Sequence, residues 1–308
     1  MLSPCFSEDN SNTIQEKSQV KTFFKDINFT LGTGLNYLNG QFREIVYPDT
    51  SSVNPYLSEL LWNLDNVFLL NVTTGVRKDS WALNLTLSTA ITSETGKMTD
   101  TDWLDLENTD NTHWSISRIW LDNSFLLKTD ITYNFNFFSP VSFPVSVGYK
   151  LNLWDWEDKV LDFIYPDPQP ADFIGKPGID YKVIQNIFYA SSGIIFTKGN
   201  ITTGIKLDIS PYIYTWDLDH HILRDLYFID SFNANFWYRT ELTLNLKTGL
   251  PGGFLLTAFM EELPETVGNT FQYDGTVEGI GAQTGFYKDG AGIASFMWGI
   301  GISYTWTF

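Results

Sequence analysis

The last fifteen residues of the chain, ASFMWGIGISYTWTF, alternate in a strict period of two. Large apolar and aromatic side chains occupy the even positions from Ala294 to Phe308, and mostly small or polar side chains occupy the odd positions. This period places successive side chains on opposite faces of a β-strand. The C-terminal segment is therefore predicted to be a strand with one apolar, aromatic-rich face.

The same alternation recurs in WALNLTLSTAIT from Trp81, in GIKLDIS from Gly204 and in RTELTLNLK from Arg239. Aliphatic residues form one face of these segments, and the other face includes Lys206, Asp208 and Glu241. Charges facing a lumen while aliphatic residues face lipid are typical of a membrane β-barrel, and a terminal aromatic residue is typical of its closing strand. A large soluble β-sandwich is the alternative, but its inward residues rarely include Lys, Asp and Glu.

Membrane insertion of this kind needs no apolar helix. The chain has no run of 18 apolar residues, which excludes a transmembrane helix, but a membrane strand needs only about 9–11 alternating residues. Aromatic residues make up 16% of the sequence, with 24 Phe, 15 Tyr and 11 Trp, which suits a protein anchored at membrane interfaces.

Short and long breaks alternate along the chain. The short breaks lie at 76–80, 138–142, 198–200 and 248–253, and the long polar breaks lie near 48–56, 97–117, 157–181, 219–224 and 262–290. Outer-membrane barrels have short periplasmic turns and long extracellular loops. We therefore predict an all-β fold, a ten-stranded antiparallel transmembrane β-barrel spanning residues 26–308, after a flexible polar leader at 1–25. The predicted strands are 27–47, 57–75, 80–98, 118–136, 142–156, 182–197, 201–218, 224–247, 252–262 and 291–308.

The charge balance limits the possible partners. There are 36 acidic and 19 basic residues, and the formal net charge is −17. Binding of nucleic acid requires a basic face, so nucleic acid is excluded as a partner. An acidic surface instead attracts cationic partners.

Two acidic segments are predicted to meet at the outer rim of the barrel. The third strand runs outward with its lumen-facing residues at even positions, and this parity continues to Asp100 and Asp102. The seventh strand also runs outward and ends in WDLDHH, where Asp217, Asp219 and His221 share one face. The lower part of this strand has the opposite parity, so we predict a bulge at 210–212, where Pro211 cannot donate a ladder hydrogen bond.

The spacing of Asp219 and His221 suits an acid–base dyad. The carboxylate would orient the imidazole, the imidazole would take a proton from water, and the facing Asp100 and Asp102 would hold that water. Two alternatives remain open from the residues alone. Carboxylates with histidine also bind divalent metal ions, although no spaced histidine pair is present. The same residues could also form an ordinary acidic rim.

These elements resemble the omptins, ten-stranded outer-membrane endoproteases of Gram-negative bacteria. The resemblance extends from FTLGTGLNYLNGQFREIVY through SELLWNLDN, KMTDTDWLD and WDLDHH to YKDGAGI and SYTWTF. It implies an Asp–Asp pair at Asp100 and Asp102 and an Asp–His pair at Asp219 and His221. It also implies that Glu44 and Asp217 select a basic residue before the cut, because carboxylates suit a guanidinium.

The chain departs from the omptin pattern in two places. HWSIS is expected to place Ile116 where the family carries an acid that selects the residue after the cut, so a basic residue there should not be favoured. The family also requires lipopolysaccharide, bound by basic residues on outer strand faces. Strands 142–156 and 182–197 offer only Lys150 and Lys182, so we expect weak dependence on that lipid.

Together these points predict an aspartic-type, omptin-like endopeptidase in the outer membrane, with its active site facing the exterior. It would cut cationic peptides or proteins after basic residues, with water as the nucleophile and no metal or other cofactor. Its remaining partner would be outer-membrane lipid. A non-catalytic barrel, such as an adhesin or a narrow channel, is the main alternative, and a barrel enzyme acting on lipids is a third possibility.

Overall fold

The computed structural model describes residues 27–166, 173–233, 236–276 and 279–308, and the predicted leader at 1–25 lies outside them. Thirteen strand segments, β1 to β13, cover most of the described chain. They are Ile27–Val46, Ser58–Lys78, Trp81–Ala90, Glu94–Asp102, His113–Phe138, Val141–Ile164, Ile179–Lys198, Ile201–Ser210, Ile213–His221, Leu226–Asn233, Trp237–Lys247, Gly252–Thr276 and Gly279–Thr307. Within these residues no helix has the length and apolar character needed to cross a membrane.

The segments form a closed ring of ten antiparallel strands. Three strands are interrupted, as β3 with β4, β8 with β9, and β10 with β11, and each of the other seven is a single segment. The ring closes because β1 pairs with β13 from Thr30 opposite Thr307 to Val46 opposite Ala291. The short turns at 79–80, 139–140, 199–200 and 248–251 lie where the sequence predicted them. The prediction of a ten-stranded barrel is therefore confirmed.

The lower outer surface is an apolar band. On β13, Trp298, Ile300 and Ile302 are 42%, 55% and 49% exposed, as the even-numbered face of the C-terminal strand predicted. The alternating faces of β1, β3 and β8 contribute the exposed residues Leu31, Leu35, Leu83, Leu87, Ile205 and Leu207. So much exposed apolar surface around a ring is stable only against lipid. This band identifies the membrane-spanning part of the barrel.

The lumen behind this band is lined by paired charges. Lys128 contacts Asp208 at 2.7 Å, and Lys206 contacts Asp130 at 3.3 Å. Farther round the ring, Arg239 lies 2.8 Å from a carboxylate oxygen of Glu261, to which Lys150 also donates. Buried charges are costly unless they are paired, and here each cation has carboxylate partners. The charged face predicted from the sequence is thus the lumen face.

Above the apolar band the barrel continues as a charged extension. The outward residues there include Arg43, Glu59, Lys97, Arg118 and Lys159, and Arg43 forms an ion pair with Glu59. Such side chains are not stable in a hydrocarbon layer. The upper ends of the strands therefore lie outside the membrane, and the predicted rim residues lie at this end of the barrel.

The predicted long break at 262–290 was wrong. Strand β12 continues to Thr276 and β13 begins at Gly279, so this region is a long hairpin that stands above the membrane. The breaks predicted at 97–117 and 157–181 are also shorter, because β4, β5 and β6 extend into them. Strands outside the lipid have polar outward faces, so their sequences lack the apolar alternation by which the membrane strands were recognised.

Candidate active site

A break in the seventh strand turns the acids of WDLDHH toward the lumen. In β8 the buried residues at the upper end have even numbers, Asp208 and Ser210. In β9 they have odd numbers, Ile213, Thr215, Asp217 and Asp219. The hydroxyl of Ser210 donates to the carbonyl oxygen of Phe188 at 2.6 Å, and Pro211 and Tyr212 are exposed. The predicted change of parity at 210–212 is confirmed.

The third strand is also irregular, although the sequence predicted an unbroken parity. Residues 91–93 separate β3 from β4, and the pairing with β5 shifts between Glu94 and Gly96. Gly96 has φ +118°, and a Cβ there would lie 2.5 Å from a carboxylate oxygen of Asp65. Thr95 is buried, so odd-numbered residues face inward just before Gly96. The register shift at Gly96 turns the even-numbered residues inward again. The irregularities cancel, and Asp100 and Asp102 reach the lumen as predicted.

Asp219 and His221 form a close pair at the end of β9. His221 Nε2 lies 2.8 Å from Asp219 Oδ2, and Asp219 is only 3% exposed. On the other side of the ring, His221 Nδ1 contacts the guanidinium of Arg224. Sequence analysis did not identify Arg224, which follows the dyad in a 3-10 turn spanning Ile222–Arg224.

Asp100 and Asp102 face this dyad across the cleft. The two aspartates, His221 and Arg224 line a single cavity of about 500 Å³. The Ser58 hydroxyl donates to Asp100 Oδ1 at 3.3 Å. Burial raises the pKa of Asp100 well above its usual value, and the charges of Asp102 and Asp219 raise it further. Burial also raises the pKa of Asp102.

A second group of acids lies beside the dyad. Glu44 on β1 and Asp217 on β9 are 3% and 0% exposed, and Asp230 on β10, directly opposite Asp217 in the strand pairing, is 4% exposed. The Trp62 indole donates to Glu44 Oε2 at 3.3 Å, and the Tyr181 hydroxyl donates to Asp217 Oδ2 at 2.9 Å. We call Glu44, Asp217 and Asp230 the acid pocket.

Asp230 was missed by sequence analysis. It is the inward residue between Phe228 and Phe232, and a lone carboxylate on an aromatic face could have identified it. Asp217 Oδ1 and Asp230 Oδ1 are buried and, among the described residues, have no hydrogen-bond partner. A buried, unpartnered carboxylate oxygen is costly, so the acid pocket is incomplete without a donor.

The titration of the acid pocket reflects this crowding of carboxylates. Burial raises the pKa of Asp217 to about 7, with a smaller contribution from the charge of Asp219. Burial raises the pKa of Glu44 and of Asp230 well above their usual values, and the neighbouring carboxylates add to both shifts. The acid pocket therefore holds bound protons near neutral pH when no cation is present.

Packed aromatic rings form the floor below these acids. Trp62 stacks on Tyr181 with ring centroids 4.9 Å apart, and Trp156 stacks on Tyr181 at 5.9 Å and on Trp154 at 6.1 Å. These rings and Phe42 are at most 1% exposed. The floor closes the lumen beneath the cleft and carries the two donors that hold Glu44 and Asp217.

The structure does not bring Ile116 into the cleft. Ile116 pairs with Thr99, whereas its neighbour Ser115 pairs with Asp100 and is 5% exposed. Paired residues share a face of a sheet, so Ile116 lies on the outer face, opposite Asp100. The inward residues of this segment are Ser115 and Ser117, which line the cavity with His113 and Tyr165. Ile116 therefore cannot have the predicted role in the cleft.

The two basic residues considered for lipid binding both have acidic partners. Lys150 faces the lumen and donates to Glu261, and it is 4% exposed. Lys182 lies 2.9 Å from a carboxylate oxygen of Asp155.

In the part of the chain that the structure describes, no group of three or more His, Cys, Asp or Glu residues is arranged to hold a metal ion.

Comparisons with known proteins agree with this architecture. The profile of the omptin family matches residues 25–306. The crystal structure of the outer membrane protease OmpT from Escherichia coli superposes with a TM-score of 0.80 at 18% identity, covering 91% of this chain and 97% of that one.

Other barrels are much less similar. The translocator domain of the autotransporter NalP from Neisseria meningitidis has a TM-score of 0.35 at 10% identity, covering 95% of this chain and 94% of that one. The outer membrane protein OprG from Pseudomonas aeruginosa has a TM-score of 0.33 at 10% identity, covering 89% and 96%. At the sequence level, no curated protein matches this chain.

Proposed function

Because the chain belongs to the omptin family, we propose that it is an outer-membrane endopeptidase that uses water to hydrolyse peptide bonds after basic residues. Family membership and the OmpT-like barrel support an outer-membrane protease. One observation carries the mechanistic part of the proposal: His221, which pairs with Asp219, lines the same cavity as Asp100 and Asp102.

The proposed base is His221. Its Nε2–H donates to Asp219, so Nδ1 carries the lone pair that accepts a proton from water. The hydroxide formed at that moment attacks the scissile carbonyl carbon. The imidazolium then returns the proton to the leaving amine nitrogen as the C–N bond breaks. The negative charge of Asp219 stabilises the imidazolium between these steps.

The proposed role of Asp100 and Asp102 is to hold the water and the substrate carbonyl. Burial raises the pKa of both carboxyls, and two nearby carboxylates do not both ionise readily, so we propose that the pair shares one proton. The ionised carboxylate accepts a hydrogen bond from water. The protonated one donates to the carbonyl oxygen, where negative charge develops in the transition state.

The acid pocket is the proposed binding site for the basic side chain before the cut. Like charges placed directly opposite in a sheet destabilise it, and Asp217 and Asp230 are such a pair. A guanidinium or ammonium offsets this repulsion and donates to the unpartnered oxygens. Asp230 adds a third carboxylate to Glu44 and Asp217, the two residues predicted from the sequence.

The proposed active site faces the cell exterior. The short turns and the two ends of the described chain, Ile27 and Phe308, lie at the opposite end of the barrel. Short turns mark the periplasmic end of outer-membrane barrels. The cleft therefore opens to the medium that contains the substrates.

The structure argues against a narrow channel, the main alternative from the sequence. A channel needs a continuous aqueous lumen, whereas the buried aromatic floor closes the lumen of this barrel beneath the cleft. An adhesin would have no need for buried carboxylate oxygens without a donor beside an Asp–His pair. Catalysis is the function that accounts for these groups.

A peptide library incubated with the refolded barrel in detergent tests the proposal, with cleavage sites identified by mass spectrometry. We expect cuts after Arg and Lys with the wild-type protein, and a fall in kcat on the order of 10²–10⁴-fold for Asp100→Asn. Asp180→Asn, an exposed carboxylate on the outer face of β7, is the matched control. Full activity of Asp100→Asn, or cleavage without preference for basic residues, would contradict the proposal.

A further inference from the structure

Both ring nitrogens of His221 are engaged. Asp219 accepts from Nε2, whereas the Arg224 guanidinium, which can only donate, contacts Nδ1. The imidazole is therefore neutral in this arrangement, and its lone pair points into Arg224. A base whose lone pair already accepts a hydrogen bond cannot take a proton from water, so Arg224 must move away from His221 before the proposed chemistry begins.

The local fold holds Arg224 over the dyad. The 3-10 turn Ile222–Arg224 follows β9 directly, and Asp225 ends it in a left-handed conformation with φ 50°. The carbonyl oxygen of Asp225 accepts from the Gly275 amide at 2.6 Å, which ties the turn to the β12 strand. The backbone is thus anchored, while the Arg224 side chain remains exposed and can reorient.

Charges of opposite sign lie near His221. The acid pocket, on β1, β9 and β10, attracts a cation. Arg224, in the turn that joins β9 to β10, lines the cavity of Asp100 and Asp102 together with His113 and Tyr165. Its positive charge partly opposes the effect of burial on the pKa of both Asp100 and Asp102, so it is close to both. In the proposed binding mode, the basic side chain lies in the acid pocket and the residue after the cut lies in the cavity that Arg224 lines.

We propose that Arg224 selects an acidic residue immediately after the scissile bond, and that the carboxylate of that residue draws the guanidinium away from His221 and frees the base. This inference rests on the proposed function. The displacement is an exchange of partners: Arg224 gives up a neutral nitrogen and gains a carboxylate, which forms a stronger, charge-assisted hydrogen bond. A basic residue at this position would instead repel Arg224 and leave the base blocked.

A different role for Arg224 makes a different prediction. A guanidinium that stabilised the oxyanion of the tetrahedral intermediate would act on every substrate, so its loss would lower kcat equally for all peptides. If Arg224 instead selects the residue after the cut, its loss changes the ratio of kcat/KM values between peptides. The ratio of kcat/KM values therefore distinguishes the two roles.

Three peptides that differ only in the residue after a single Arg test the proposal, with Asp, Ala or Lys at that position. For the wild type we expect kcat/KM to be about 10–100-fold higher with Asp than with Lys, the range of one charge-assisted hydrogen bond. Arg224→Ala should bring this ratio close to one, and Arg224→Glu should invert it. Arg118→Ala, which removes a half-exposed cation from the outer face, should leave the ratio unchanged.

A second measurement does not depend on cleavage. In the ¹⁵N spectrum of labelled histidine, the Nδ1 resonance of His221 should move when the Asp peptide is added and stay in place with the Lys peptide. Equal wild-type rates for the three peptides, or a uniform loss of rate in Arg224→Ala, would overturn the proposal. If no peptide is cut, the proposed function fails, and an Nδ1 resonance unmoved by the Asp peptide would then overturn this inference as well.

Discussion

At the scale of single residues, two adjacent histidines have different environments because a strand alternates its faces. His221 pairs with Asp219 inside the cleft. His220 points outward, where its ring stacks on Tyr227 with centroids 3.9 Å apart and lies between Asp180 and Asp225. Residue type alone therefore cannot indicate which histidine is the base, whereas strand parity can.

The histidine pair provides a matched test. We expect His221→Ala to lower kcat on the order of 10²–10⁴-fold, because it removes the proposed base. His220→Ala removes the same side chain from the same strand and should retain most of the activity. Circular dichroism and gel mobility of the folded barrel check that both variants fold. Equal losses in the two variants would show that the effect is structural.

At the scale of elements, the β9–β10 pairing holds two carboxylates directly opposite each other. Asp217 and Asp230 are both buried, and the Tyr181 hydroxyl is the donor to Asp217. Repulsion between like charges in a sheet opposes folding. A protein keeps such a pair at the expense of stability where function requires it, so stability and activity should respond in opposite directions to its removal.

We expect Asp230→Asn to affect stability and substrate selection in opposite directions. Burial raises the folded-state pKa of Asp230, so the folded state binds its proton more tightly than the unfolded state does, and the stability cost develops as pH rises above the ordinary carboxyl range. We expect the variant to gain about 1 kcal/mol in urea unfolding at pH 8 and little at pH 4. Its preference for Arg before the cut should weaken. A loss of stability at pH 8 would contradict this account.

The same pairing predicts a pH dependence of catalysis. A cation binds the ionised acid pocket, and burial raises the pKa of Asp217 to about 7. For Arg peptides, kcat/KM should therefore fall as pH is lowered through about 7, because it reports groups of the free enzyme. Asp217→Asn should have a low kcat/KM without this inflection. A wild-type kcat/KM that is constant from pH 8 to pH 5 would exclude Asp217 as the titrating group.

At the scale of the whole molecule, the barrel is divided into a lipid-facing part and a charged extension. Two outward cations of the extension have acidic neighbours: Arg118 on β5 pairs with Glu94, and Lys159 on β6 pairs with Glu157. The net charge of −17 adds repulsion toward phosphate-rich lipid, screened beyond roughly 8 Å at physiological salt. We therefore expect this surface to bind anionic head groups weakly.

We accordingly expect weak dependence on lipopolysaccharide. Adding the purified lipid to detergent-refolded protein should change the rate of peptide cleavage by less than about tenfold, or about 1.4 kcal/mol. Strong activation would contradict this prediction. In that case the row of outward residues Lys97, Arg118 and Lys159, which are paired across β4, β5 and β6, would be the first to replace with alanine.

The barrel, its ten strands and the acids at its rim could all be predicted from the sequence. A lipid-facing strand must alternate apolar and lumen-facing residues, so membrane strands can be recognised one at a time from local pattern. The same alternation, followed outward, brought Asp100, Asp102, Asp219 and His221 to one cleft. This alternation failed to predict the upper parts of β12 and β13, where the strands leave the lipid, because nothing there requires an apolar outward face.

The residues that complete the site could be identified only from contacts between distant parts of the chain. Asp230 joins Glu44 through the closure of a ring, and Arg224 reaches His221 through a turn, so neither contact has a signature in local sequence. The resemblance to the omptins assigned Ile116 to the cleft, but the pairing of β4 with β5 puts it on the outer face. A shift of one residue reverses the face of every side chain in a strand, and bulges such as that at Gly96 are fixed by contacts between strands.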